Sequence, residues 1–229
     1  MNRADIVVGV DGCAGGWVCI ALGVATRQIS AHLLPDFRAV LEGFPTAIIA
    51  VDIPIGLPDM GSRQCDVDAR RLLGKRGSSV FPAPLRSVLA ATGYQEACQL
   101  GRQTDGRAIS RQCFGILPKI REVDCAMTPE FQQRVFEVHP EVSFRALNRG
   151  LPMQYAKKCI DGRRDRLDLL RPIVPAIEGI HVDGRAANDD ILDAAAVMWT
   201  AERICRGRAA GVTTVQEIDS KGLRMQITY

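Results

Sequence analysis

The sequence predicts an α/β protein built on one mixed sheet of five strands, in the order 3-2-1-4-5, with helices on its faces. Three observations support this class: short apolar runs bounded by turn residues near the N-terminus, a helical stretch between two of those runs, and a strongly apolar helix near residue 191. Hydrophobic residues make up 47% of the chain and charged residues 24%, a balance typical of a protein with a buried core.

The first three strands are predicted to form a meander. The apolar run 6–10 ends at Asp11-Gly12, and Gly15-Gly16 separates it from a second run at 17–24, which is typical of a hairpin. A third run at 28–34 completes the meander, and Pro35-Asp36 then opens a short helix that reaches about residue 42.

The fourth strand, 47–51, follows that helix and ends at Asp52. A helical crossover lets this strand pair in parallel with an earlier one. The third strand already lies beside the second, so the free side of strand 1 is the position we expect for strand 4. The carboxyl ends of strands 1 and 4 then become neighbours, and Asp11 and Asp52 face one cleft.

Residues 58–130 are predicted to be a helical and loop insertion within a single domain that spans residues 1–229. The insertion contains helical stretches at 65–73 and 95–100. A last strand at 133–138 carries Glu137, and Pro140 opens a helix to about residue 148. Two further helices are expected at 161–170 and 191–201, the second apolar nearly all round.

Four acids stand in apolar surroundings, where an uncompensated carboxylate is costly: Asp11, Asp52, Glu137 and Asp193. Asp11 alone is also explained by a turn, since Asp-Gly is a common turn dipeptide, but three acids beside strand ends indicate a shared site. Asp193 lies among alanines beyond the first turn of its helix, where the favourable dipole effect has faded. Asp190 shares its helix face, although Asp190 also suits the helix cap.

Bulk composition limits the function only weakly. The formal net charge of +3 neither requires nor excludes a nucleic-acid partner. The eight cysteines include no C-x-x-C pair and no zinc-site spacing, so we expect reduced thiols. No apolar run reaches the roughly 20 residues of a membrane span and no secretory signal is seen, so we expect a cytoplasmic protein without a membrane partner.

Five motifs occur in an order that is typical of a known family. They are Gly9-Val10-Asp11-Gly12 with Gly16-Trp17, Val51-Asp52-Ile53-Pro54-Ile55-Gly56-Leu57, Ser78-Ser79-Val80-Phe81-Pro82-Ala83-Pro84, Glu137-Val138-His139-Pro140-Glu141 and Asp190-Ile191-Leu192-Asp193-Ala194. Over nearly its whole length the chain thereby resembles the prokaryotic domain of unknown function 429, a family of predicted nucleases of the RNase H-like superfamily.

The resemblance implies an RNase H-like fold and a metal-dependent nuclease. In that superfamily, which includes Holliday-junction resolvases, acids from the first strand, the fourth strand and a late helix bind divalent metal. The matching residues are Asp11, Asp52 and Asp193, with Asp190 as a second acid on that helix and Glu137 from the family's own motif. We therefore expect catalysis by Asp11, Asp52, Glu137 and Asp193, and metal binding by these four and Asp190. Oxygen ligands alone suit Mg²⁺ or Mn²⁺, which can support phosphodiester hydrolysis.

Two other functions stay open at this point. A nucleotide-dependent phosphoryl transferase of the actin-like or sugar-kinase type shares the core topology, although its second phosphate loop and adenosine motif are not evident. A nucleic-acid-binding module without turnover is the other alternative. Basic residues cluster at 63–76 and 157–166, where they could contact phosphates or form solvated helix faces. His139 is interpreted as structural, and the sequence leaves the choice of DNA or RNA open.

Overall fold

The structure is a computed structural model that describes residues 4–182 and 184–229. Five strands form one mixed sheet in the order β3-β2-β1-β4-β5, which confirms the predicted sheet. The strands are β1 (Ile6–Cys13), β2 (Gly16–Gly23), β3 (Ile29–Leu34), β4 (Ile48–Val51) and β5 (Val135–Glu137). β1, β2 and β3 pair antiparallel, whereas β4 pairs in parallel with both β1 and β5.

Seven α-helices accompany the sheet in the described residues. They are α1 (Phe37–Gly43), α2 (Gln64–Leu73), α3 (Tyr94–Asp105), α4 (Arg111–Ala126), α5 (Pro140–Leu147), α6 (Ile160–Leu170) and α7 (Asn188–Cys205). Short 3₁₀ segments lie at Gly74–Ser79, Arg86–Ala90, Phe131–Gln133 and Ile177–Gly179. None of the described helices combines the length and the apolar character that crossing a bilayer requires.

Two differences from the sequence-based expectation affect the site. β1 continues past Asp11 to Cys13, because the hairpin pairs Asp11 with Val18 and Cys13 with Gly16. Asp11 therefore lies inside a strand and not at its end. Helix α4 was not predicted as a separate helix, because Gly115 and Pro118 interrupt its pattern. The Ser110 hydroxyl caps it by accepting from the Cys113 amide at 3.0 Å.

Helices cover both faces of the sheet. One core contains Val7 and Ala50 together with apolar residues of α6 and α7. The other contains Val8, Val10 and Val51 together with apolar residues of α1 and α4. Side chains alternate between the two faces along a strand, so residues an even number apart share a face. Asp11 therefore shares the face of Val7, and Asp52 shares the face of Ala50. This is the face that α7 covers.

Gly9 allows α7 to lie directly against β1. A Cβ atom at this position would fall 2.1 Å from the Ala194 carbonyl oxygen and 2.1 Å from the Met198 amide nitrogen, both of which are backbone atoms of α7. Only glycine fits such a contact. The close approach places Asp193, in the same helix, next to the strand that carries Asp11.

Candidate functional site

Asp11, Asp52 and Asp193 converge on one cavity of about 410 Å³ at the carboxyl ends of the parallel strands. β1 supplies Asp11, the residue after β4 supplies Asp52, and α7 supplies Asp193. The Asp52 amide donates to the Val10 carbonyl at 2.9 Å and so continues the parallel pairing as far as the site. Asp11 is 8% exposed and Asp193 is 4% exposed. The three acids predicted from the strand and helix pattern are thus brought together.

The three carboxylates lie close enough to oppose one another's ionisation. Burial raises the pKa of Asp11 well above its ordinary value, and the charges of Asp52, Asp193 and Asp190 raise it further. Burial also raises the pKa of Asp52 to about 7 and that of Asp193 to about 6. A group of acids with raised pKa values gains from any cation that joins it.

Lys157 supplies part of that positive charge. Its Nζ atom lies 2.5 Å from Asp193 Oδ2, in the loop between α5 and α6, and its side chain is 40% exposed. Burial lowers the pKa of Lys157, but Asp193, Asp11 and Asp52 outweigh this and hold it above its usual range. Lys157 is therefore the charged partner of the cluster in this structure.

Glu137 lines the same cavity but is not grouped with the three aspartates. In the parallel pairing Glu137 is the β5 partner of Val51. Its side chain therefore lies on the same face of the sheet as that of Val51, which is the face away from Asp52. Its two carboxylate oxygens each accept from the Arg63 guanidinium at 2.7 Å, and Oε2 also accepts from the Ile55 amide. Arg63 in turn binds Asp66 at 2.5 Å. Its predicted catalytic and metal-binding role stays a prediction.

Asp190 lies at the start of α7. Its Oδ2 atom accepts from the Ala187 amide at 2.8 Å, which gives Asp190 the capping role that the sequence also allowed. Its charge still contributes to the raised pKa of Asp11. Asp190 is thus near the cluster, and metal binding by Asp190 also stays a prediction.

Glu141 is an acid of the site to which the sequence assigned no role. It occupies the first turn of α5, where Oε1 accepts from Arg166 at 2.5 Å and from Arg76 at 3.2 Å. Its charge raises the pKa of Asp52 and Asp193, so it contributes to the field of the cluster. The signal available in the sequence was its place one turn after β5 in the motif that contains Glu137.

His139 caps α5. Its Nδ1 atom accepts from the Glu141 amide at 3.2 Å, and Nε2 lies 3.3 Å from the Ser79 carbonyl oxygen. Burial lowers the pKa of His139, so the neutral ring is favoured. These contacts hold the ring at the start of α5, where it also lines the cavity, and its structural role stays a prediction.

The donor chemistry of the cluster suits a divalent cation, although the side chains are not arranged around one. In the described residues no group of three or more His, Cys, Asp or Glu side chains could hold a metal ion as they stand. Asp193 is instead bound to Lys157. When fully ionised, Asp11, Asp52 and Asp193 carry three negative charges, of which Lys157 balances one. Mg²⁺ or Mn²⁺ would balance the other two and favour the ionised carboxylates.

The fold and the site together define an α/β protein with a mixed five-stranded sheet and an acidic cavity at the ends of its parallel strands. The chain belongs to the family described as Protein of unknown function (DUF429), whose family model matches residues 9–217. No curated protein and no solved structure matches the chain.

Proposed function

We propose that this protein is a metal-dependent phosphodiester hydrolase, a nuclease of the RNase H-like type. The observation that supports the proposal is the convergence of Asp11, Asp52 and Asp193 on one cavity. Acids from the first strand, the fourth strand and a late helix are those expected from the superfamily pattern. The strand order 3-2-1-4-5 supports the same fold type.

Asp11, Asp52 and Asp193 would hold Mg²⁺ or Mn²⁺. When bound, such a cation supplies Lewis-acid activation of water and charge stabilisation of the reacting phosphate. The chain's own contribution is the placement of the carboxylates. β1 and β4 fix two of them through the sheet, and the contact at Gly9 fixes the third through α7.

Lys157 would then change partners. Its ammonium now neutralises Asp193, and a cation held by Asp193 would release it. Because the side chain is partly exposed and long, it can turn toward a substrate phosphate at the mouth of the cavity. Its proposed role is to bind and orient that phosphate.

The proposed role of Glu137 is to position the part of the insertion that lies next to the cavity. Arg63 joins Glu137 of β5 to Asp66 of α2, and Asp66 Oδ2 accepts from the Ala83 amide at 2.9 Å. This buried network fixes the start of the insertion against the sheet, next to the cavity. A buried ion pair of this kind is costly to break, since the remaining charge is left without a partner.

The proposal is tested with a panel of single-stranded, duplex, hybrid and branched nucleic acids in Mg²⁺ or Mn²⁺. We expect wild type to cut at least one of them and Asp11→Asn to lower the rate at least 100-fold. Asp59→Asn is the matched control, since Asp59 is a 61% exposed side chain that lines no part of the cavity. An equal rate in Asp11→Asn would contradict the proposal. Binding without cutting would favour the module, and transfer from ATP would favour the kinase-like alternative.

A further inference from the structure

The cavity has a second wall, formed by the insertion. The residues of this wall belong to the segment 76–81 and to α4. A cavity of about 410 Å³ is within the range of about 300–1,000 Å³ that is typical of sites enclosing a small molecule. This wall therefore restricts what can reach the acids.

Lys119 of α4 is the unpaired cation of that wall. Arg63, Arg76 and Lys157 also line the cavity, and each is bound to a carboxylate. Within residues 4–182 and 184–229 Lys119 forms no ion pair, and its Nζ atom lies 4.5 Å from the centre of the Trp17 ring. It is thus the lining cation that can bind an incoming anion without first leaving a carboxylate.

Gly12 makes room for Lys119. A Cβ atom on Gly12 would lie 2.6 Å from Lys119 Cδ, so the lysine stem packs directly on the strand beside Asp11. The Trp17 ring below it is buried and held by a 2.7 Å hydrogen bond from Nε1 to Glu122. The ammonium is consequently held over a fixed surface in the wall of the cavity.

The same face of α4 carries two further lining residues. Gln112, Ile116 and Lys119 are spaced four and three residues apart and share one helix face. The face presents an amide, an aliphatic group and an ammonium in a row. Phe81, which is half-buried, adds an aromatic surface to the cavity. An amide can read a base edge, an apolar and aromatic surface can hold a base, and an ammonium can hold a phosphate.

We propose that the cavity binds a single nucleotide at the end of a single-stranded nucleic acid, with Lys119 on its phosphate. The base lies against Phe81 and Ile116, and Gln112 faces the base edge. The inference rests on the proposed nuclease function for its substrate, and it adds that the strand is attacked from an end.

Binding is tested by titration calorimetry with thymidine 5′-monophosphate, with and without Mn²⁺. We expect this nucleotide to bind more tightly than inorganic phosphate or thymidine. Lys119→Ala should weaken its binding at least tenfold, whereas Lys119→Arg should retain most of it. Arg111→Ala is the matched control, because Arg111 lies on the same helix, is exposed and stacks on Tyr94 at 4.5 Å outside the cavity. Thermal melts check that each variant is folded. Unchanged binding in Lys119→Ala, or an equal loss in Arg111→Ala, would overturn the proposal.

The strand end is tested with Mn²⁺, a linear single strand and a covalently closed circle of the same sequence. We expect mononucleotides from the linear strand and an intact circle. A cut circle would overturn the strand-end inference while leaving the nuclease function standing. If nothing is cut but the monophosphate binds in a Lys119-dependent way, the nuclease proposal fails, and a free nucleotide is the ligand instead of a strand end.

Discussion

Asp11 and Asp193 belong to one cluster, but only Asp193 has an ion-pair partner in Lys157. Removing the Asp11 charge relieves repulsion with Asp52, Asp193 and Asp190. We expect Asp11→Asn to raise the free energy of unfolding without metal by about 1–3 kcal/mol at pH 8. Asp193→Asn should change it little, because the relieved repulsion is offset by the loss of the Lys157 pair. Urea unfolding with a chelator measures both.

Metal should make wild type the most stable of the three proteins. Mn²⁺ is expected to raise the melting temperature of wild type and to have little effect on either variant, since each lacks one ligand charge. Equal stabilisation of all three proteins by Mn²⁺ would remove both acids from the metal site. Asp59→Asn, which alters an exposed acid, should respond to Mn²⁺ as wild type does.

The pH dependence of stability gives a second prediction for the same residues. The pKa of Asp52 rises from 3.8 to about 7 on folding, chiefly through burial. The folded state then holds the proton more tightly than the unfolded state, so this contribution to stability is complete below about pH 4 and is lost as the pH rises through 7. We expect wild type without metal to lose on the order of 4 kcal/mol relative to Asp52→Asn between pH 4 and pH 8. Comparing the two proteins by urea unfolding cancels the carboxylates outside the cluster, and parallel pH curves would contradict the prediction.

The strand period explains which site residues could be found from the sequence. Asp11 continues the apolar run of β1 and Asp52 directly follows β4. Both fall in rows that face α7, so their meeting depends only on parallel pairing of β1 and β4. Glu137 is the last residue of β5, and the register pairs it with Val51, one residue out of phase with Asp52. Strand register is not visible in a single run of residues. Lys119 and Lys157 were harder still, because a helix and a loop distant in sequence bring them to the cavity.

At the scale of the elements, the contact between α7 and β1 carries the geometry of the site. A methyl group on Gly9 would overlap backbone atoms of α7, which cannot rotate away as a side chain can. We expect Gly9→Ala to destabilise the protein by about 3 kcal/mol and to weaken Mn²⁺ binding, since α7 must shift and carries Asp193 with it. Thermal melts and Mn²⁺ titration check the two effects.

Gly115 provides the matched control for that change. It lies inside α4, and a Cβ atom there would meet nothing within 4 Å. Gly115→Ala should stabilise the protein by about 0.5–1 kcal/mol, because alanine loses less conformational freedom in a helix. A similar loss of stability in both variants would show that the close packing at Gly9 is not the cause.

The order of the first four strands was predictable because each step was local. A meander fixes three neighbours, and one crossover helix fixes the fourth. The place of β5 beside β4 depended on the family resemblance, because the insertion separates these two strands in the sequence. The same reasoning failed for α4, where Gly115 and Pro118 break the helical pattern. Packing compensates for those residues: Ile120 and Val123 of α4 are fully buried against the sheet.

At the scale of the whole molecule, the insertion 58–130 and the sheet share one core and one cavity. Ile120, Val123 and Met127 pack in the same cluster as Ile49 and Val51 of β4. The α4 face with Gln112, Ile116 and Lys119 lines the same cavity as the acids. The insertion is therefore placed by the sheet, and the second wall of the site depends on that placement.

We expect the segment 58–130, expressed alone, to show no cooperative unfolding transition. Without the sheet, Ile120, Val123 and Met127 lose the surfaces that bury them, and Arg63 loses its ion pair with Glu137. The cluster formed within the segment, Leu85, Val88, Ala91, Ala97 and Leu117, is small for an independent core. The full chain should unfold in one calorimetric transition whose van't Hoff and calorimetric enthalpies agree. A cooperative transition in the isolated segment, or two transitions in the full chain, would show that the insertion is a domain of its own, and the cavity would then lie between two bodies that can move apart.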